Sequence, residues 1–116
     1  MRRALLVVVG AAALAVAPAA ASTKPGPVKK VTVADDYFGP AKLKVHVGTT
    51  IAWHWPATNT NTHDVKLKKG PKGAKKFWSD PAAADFSFKR KLKVRGKYSI
   101  ICTFHENMVQ TITVVK

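Results

Sequence analysis

The feature that most narrows the fold of this chain is an alternation of period two that recurs along most of its length. Val31 and Val33, then Leu43, Val45 and Val47, then Ile51, Trp53 and Trp55 fall at every second position, with small or polar residues between them. A strand turns successive side chains to opposite faces, so the pattern predicts half-buried strands and argues against amphipathic helices, whose period is 3.6. The longest run begins at Phe86. Phe86, Phe88, Leu92 and Val94 hold even positions, apart from Arg90, while Lys89, Lys91, Lys93, Arg95 and Lys97 hold odd ones. Beyond Gly96 the parity continues through Tyr98, Ile100 and Cys102, which turns Cys102 inward at the end of a buried strand. A last strand, Gln110 to Lys116, carries Ile112 and Val114 on one face. Gly39-Pro40, Gly48-Thr49, Pro56 to Asn59, Gly70-Pro71 and Gly96 punctuate these runs at short intervals. The expected fold class is all-β, a Greek-key antiparallel β-sandwich of two sheets.

Three segments organise the chain. Residues 1–21 read as a cleavable signal peptide: Met1-Arg2-Arg3, an apolar run from Ala4 to Ala17, then small residues up to Ala21. The run is shorter than the roughly 20 residues needed to span a bilayer, so no stable membrane insertion is expected. Residues 22–30, with Pro25, Gly26 and Pro27, read as a flexible leader, and residues 31–116 as one domain. The expected location is outside the cytoplasm: periplasm, cell envelope or extracellular space.

Of the 116 residues one is Cys, which excludes an internal disulfide framework, a Cys-rich structural zinc module and an all-cysteine iron-sulfur cluster. Met1 falls in the signal, so Met108 is the sole methionine of the remainder. Cys102-Thr103-Phe104-His105-Glu106-Asn107-Met108 therefore holds both unique sulfur residues and a histidine in the spacing C-x2-H-x2-M, directly after an inward-facing strand. Thiolate and thioether favour Cu(I) while imidazole also accommodates Cu(II), so this donor set suits one copper ion cycling between the two states. A second imidazole completes a His2Cys set. Parity puts His46 and His54 on polar faces, which leaves His63, after the turn from Pro56 to Thr62, as the best remaining ligand. Zinc is the alternative metal, with Asp64 or Glu106 as a harder fourth ligand and Met108 without a role.

With these residues in view the chain resembles the small blue copper proteins, or cupredoxins, especially amicyanin- and plastocyanin-like members with a short ligand loop. The resemblance covers about residues 31 to 116. It rests on Phe38-x-Pro40, Leu43-x-Val45-x-Val47-Gly48, Thr50-Ile51-x-Trp53, His63-Asp64-Val65, Phe86-Ser87-Phe88 and Gly96-x-Tyr98-x-Ile100-x-Cys102, followed by His105 and Met108. It implies His63, Cys102 and His105 as strong equatorial copper ligands and Met108 as the weak axial one. It also implies electron routes through the edge of His105, with Phe104, Pro56 and Trp55 as docking-patch members, and near the strand leading to Cys102. Three positions depart from the family pattern: Phe104 stands where Pro is frequent, Gln110 where Gly is frequent, and Asp64 where Asn commonly ties the two ligand loops together.

The function implied is that of a one-electron carrier, not an enzyme. Cys102 is flanked by Ile101 and Thr103 rather than by the histidines of multicopper oxidases, and no serine sits in a nucleophile motif. The alternatives are an extracytoplasmic protein that buffers or delivers copper without redox turnover, and a basic module for envelope anions whose metal is structural. The net charge of +14 points to an acidic redox partner or an anionic envelope component. Nucleic acid is disfavoured by the dominance of Lys over Arg, the missing binding motif and the export signal. A monomer is expected.

Overall fold

The computed structural model describes residues 26–116. The signal peptide and the first part of the leader lie outside the described residues. Eight strands follow one another: β1 Val28–Ala34, β2 Tyr37–Gly39, β3 Lys42–His46, β4 Thr50–Trp55, β5 Lys66–Lys69, β6 Phe86–Lys91, β7 Gly96–Ile101 and β8 Val109–Val115. They build two four-stranded sheets, β2-β1-β4-β6 and β3-β8-β7-β5. From β2 to β7 the chain passes to the other sheet at every connection, while β1–β2 and β7–β8 each close as a hairpin within one sheet.

The alternation does its work between the sheets. Val31, Val33, Ile51, Trp53 and Trp55 enter the interior from the first, and Val45, Tyr98, Ile100, Ile112 and Val114 from the second. Burying one such apolar side chain stabilises the fold by about 1.5–3 kcal/mol. Trp53 packs against Phe77 and Phe88 at centroid distances of 5.6 and 5.8 Å, and Trp55 meets Phe86 edge-on at 4.9 Å.

The structure corrects the sequence reading in several places. Each sheet is mixed rather than purely antiparallel, because β1 runs parallel to β4 and β3 parallel to β8. Parity fixes the face a side chain takes but not the strand beside it. Val28–Lys30, assigned to the leader, belong to β1 and pair with Thr50–Ala52. Their side chains are exposed, so backbone pairing and not burial holds them. Val47 lies beyond the end of β3 and is exposed. The long run from Phe86 is two strands in different sheets, with β6 on β4 and β7 on β8. Gly96 sits at the junction with φ +137°, and a Cβ there would lie 2.6 Å from Cβ of Pro71. The Tyr98 hydroxyl donates to the Val94 carbonyl at 2.7 Å and pins the same turn. Arg90, the interruption in the apolar parity, lies on an edge strand, where it stays exposed and stacks over Phe88.

Gln110 clamps the two sheets. It is 1% exposed; its Oε1 accepts from Trp53 Nε1 at 2.9 Å and its Nε2 donates to the Pro40 carbonyl at 2.8 Å. A buried amide with both ends bonded is stable, and an apolar replacement strands both partners. Among the described residues no helix is long and apolar enough to cross a membrane. Gln110→Leu should keep the volume yet destabilise the domain by about 2 kcal/mol in urea unfolding, against under about 0.5 kcal/mol for the exposed change Lys44→Gln.

Candidate metal centre

The donor residues come from three places at one end of the sandwich. His63 precedes β5 and is held by a two-way backbone bridge to Ala82: His63 N–H donates to the Ala82 carbonyl at 2.9 Å and Ala82 N–H to the His63 carbonyl at 3.0 Å. The same His63 carbonyl accepts from Trp55 Nε1 at 3.2 Å. Cys102 follows β7 directly. His105 and Met108 lie in the link to β8, which closes on itself: Cys102 N–H donates to the Met108 carbonyl at 3.0 Å and Met108 N–H to the His105 carbonyl at 3.1 Å. The C-x2-H-x2-M spacing is thus the length of a tight hairpin end between Ile101 and its partner Val109.

One nitrogen each from His63 and His105 and the sulfur of Cys102 lie within 4.8 Å of one another. Cys102 Sγ is 3.6 Å from His105 Nδ1, and the two imidazole centroids are 4.9 Å apart. His63 is fully buried. Its Nε2 lies 2.7 Å from Asp35 Oδ1, whereas its Nδ1 is buried with no hydrogen-bond partner. An unpartnered buried ring nitrogen is costly unless a ligand takes its lone pair, so the site fits a bound metal. Cys102 is buried, and burial pushes its thiol above the ordinary range; backbone N–H groups of Asp64, Phe104 and His105 oppose this, while the Asp64 charge adds to it. A cation at the site reverses the balance, because it binds the thiolate. Met108, 1% exposed, is packed beneath the loop.

Asp64 takes the loop-tying position. Its carboxylate, 2% exposed, accepts from Thr103 N at 2.6 Å, Thr103 Oγ1 at 2.6 Å and Trp78 Nε1 at 2.8 Å. Both oxygens are committed to these donors, which draw the His63 segment and the Cys102 loop together. Glu106 is exposed.

His46 and His54 are exposed, as parity requires, and His46 Nδ1 lies 2.8 Å from the Lys116 carbonyl. Trp55 is no docking-patch residue: it is 0% exposed, and its indole nitrogen is spent on His63. Phe104 is 52% exposed, Pro56 is half-buried, and the His105 side chain is 28% exposed.

Sequence reasoning missed Asp35 and Asp36. They form the turn between β1 and β2, and Asp36 Oδ1 lies 3.4 Å from His105 Nε2 and 3.7 Å from His63 Nε2. The Thr60 backbone N–H, followed by His63, holds the Asp35 carboxyl well below the usual carboxylate range. The available signal was two adjacent acids in a chain with only six.

The profile of the Cupredoxin-like domain family matches residues 4–115. The chain belongs to the cupredoxin-like domain family. A comparison with curated proteins found no match. Solved structures similar to this cupredoxin include a Cu(I) form of an amicyanin variant, with TM-score 0.64 and 21% identity over 75% of this chain and 81% of the other. A pseudoazurin from Methylobacterium extorquens AM1 gives 0.64 and 22% over 77% and 76%. A copper-containing nitrite reductase from Thermus scotoductus SA-01 gives 0.67 and 25%, covering 95% of this chain but 25% of that one.

In this cupredoxin Asp64 should govern access to the thiol. Asp64→Ala frees Thr103 N–H and Trp78, and a loss of about 1.4 kcal/mol from the closed loop raises its opening tenfold. Cys102 of the metal-free variant should then react about tenfold faster than wild type with a disulfide reagent, read by absorbance.

Proposed function

We propose that this cupredoxin binds one copper ion through His63, Cys102, His105 and Met108 and serves as an exported one-electron carrier. Two observations carry the reading together: His63, Cys102 and His105 each bring a donor atom within 4.8 Å of the others, and the buried His63 Nδ1 has no protein partner. Copper held by such a set takes up and gives back one electron between Cu(II) and Cu(I). The protein's part is to keep the donors still. The Ala82 bridge fixes His63, Asp64 fixes the Cys102 loop, and the Cys102–Met108 backbone bond fixes the end of that loop. The half-exposed His105 beside exposed Phe104 offers an electron a short route to the surface. A carrier rather than an enzyme is favoured by likeness to small single-domain proteins, since the nitrite reductase is matched over only a quarter of its length.

Charge supports an anionic partner and suggests where it binds. The six acids cluster near the donor residues: Asp35, Asp36, Asp64 and Glu106 around the histidines and loop, Asp80 and Asp85 beside Ala82 and Trp55. On the β4–β6 ladder Trp55 pairs with Phe86 at this end and Thr50 with Lys91 at the other. There Lys75, Lys76, Arg90, Lys91 and Lys93 surround a groove of about 520 Å³ floored by Phe77, Leu92 and Tyr98. An anionic envelope polymer suits that basic end, and the same charge attracts an acidic redox protein from a distance, with a rate that falls as salt rises, while the electron itself passes at the His105 end.

The test uses residues 22–116 with one equivalent of Cu(II), followed by visible absorption and electron paramagnetic resonance for wild type and Cys102→Ser. An intense thiolate-to-copper band at one ion per chain, lost in the variant, is expected. A colourless protein that binds zinc or Cu(I) would overturn the reading. Reversible voltammetry supports the carrier role, whereas ready loss of Cu(I) to a chelator makes buffering or delivery the function.

A further inference from the structure

Two carboxylates from one turn reach the outer nitrogens of both donor imidazoles. Asp35 and Asp36 link β1 to β2, far in sequence from His63 and His105. Asp35 is anchored: Oδ2 accepts from Thr60 N at 2.8 Å and Thr60 Oγ1 at 3.1 Å, and Oδ1 accepts from Asn61 N at 3.0 Å while lying 2.7 Å from His63 Nε2. Asp36 Oδ1 accepts from Asn61 Nδ2 at 2.9 Å and stands between the two rings, 3.4 Å from His105 Nε2 and 3.7 Å from His63 Nε2. On the inner side, His63 Nδ1 is unpartnered and His105 Nδ1 faces Cys102 Sγ. The two faces of each ring are therefore sorted, with carboxylate outside and donor set inside.

Resting on the copper reading above, we propose that the Asp35-Asp36 turn is an acidic clasp that positions both ligand histidines and tunes the bound ion. A carboxylate facing Nε2 keeps the ring proton there, which leaves the Nδ1 lone pair turned to the metal and raises its donor strength. Two negative charges behind the rings favour the more positive metal, Cu(II) over Cu(I), and so lower the reduction potential. The two residues divide the task. Asp35 serves a ring shielded from water, where a charge acts at greater strength. Asp36, whose side chain is 44% exposed, steadies the partly exposed ring of His105.

Asp36→Asn is the principal variant, because it keeps the shape and removes the charge from a residue with a single anchoring bond; Asp35→Asn follows. Asp80→Asn, an exposed acid outside the clasp, is the control. Nitrogen-15 NMR of the metal-free protein should show the proton on Nε2 of both His63 and His105, with the His105 preference lost in Asp36→Asn. Affinity for Zn(II), a redox-silent probe, should fall about tenfold or more in that variant, as removal of such an outer partner usually does. The potential of the copper-loaded protein should rise in Asp36→Asn and hold in Asp80→Asn. Unchanged tautomers and unchanged Zn(II) affinity in Asp36→Asn would overturn the clasp, as would an equal rise of potential in Asp80→Asn. A wild type with the expected tautomers and Zn(II) affinity but no thiolate-to-copper band would overturn the copper reading and leave the positioning role supported.

Discussion

A fully buried imidazole with one nitrogen left over is the constraint around which this molecule is arranged. His63 spends its backbone N–H and carbonyl on Ala82, offers the same carbonyl to Trp55 Nε1, and sets Nε2 against Asp35. Only Nδ1 remains without a partner, on a residue whose ring lies beside Cys102 and His105. An unbonded polar atom in a protein interior is tolerated when its surroundings enforce it. Here the enforcement comes from three separate segments, those of Ala82, Trp55 and Asp35, and the ring cannot turn without giving up its contact with Asp35.

The sandwich makes such enforcement inexpensive. A hairpin end needs few residues, and the β7–β8 link places a thiol and an imidazole at a fixed offset because its own backbone bonds close it. Asp64 then connects that link to the His63 segment through two hydrogen bonds from Thr103, and a third, from Trp78, braces the same carboxylate. At the centre, Gln110 does for the two sheets what Asp64 does for the two loops. Both are polar side chains at positions where the family pattern has another residue, and both are fully bonded rather than merely tolerated.

What could be read in the sequence follows from what each pattern encodes. Parity encodes facing, so Cys102 inward and His46 and His54 outward were legible. Facing does not encode adjacency, so the parallel pairs β1–β4 and β3–β8 and the division of the Phe86 run between sheets were not. Val28–Lys30 carry no burial signal, since they join their sheet through the backbone alone. Trp55 alternates with His54 and could be assigned either to a core or to a docking face; its indole bond to His63 decides for the core. Asp35 and Asp36 look like ordinary solvated turn residues until the fold brings residues far apart in sequence alongside them. The donor spacing was legible because Cys102, His105 and Met108 are local, whereas the acids behind the rings are purely tertiary.

The order of strands in the two sheets has a consequence for how the protein behaves in a crowd of its own copies. The terminal strands are β2 and β6 in one sheet and β3 and β5 in the other, with β5 partly covered by its bridge from Lys66 to Trp78. β2 is three residues long, and the others carry Lys42 and Lys44, Lys66, Lys68 and Lys69, or Lys89, Arg90 and Lys91. Short edges and edges studded with ammonium groups repel the strand-to-strand addition that seeds fibres. Much of the positive charge is therefore placed where a sandwich is most open to polymerisation, and it guards against self-assembly whether or not a partner is present.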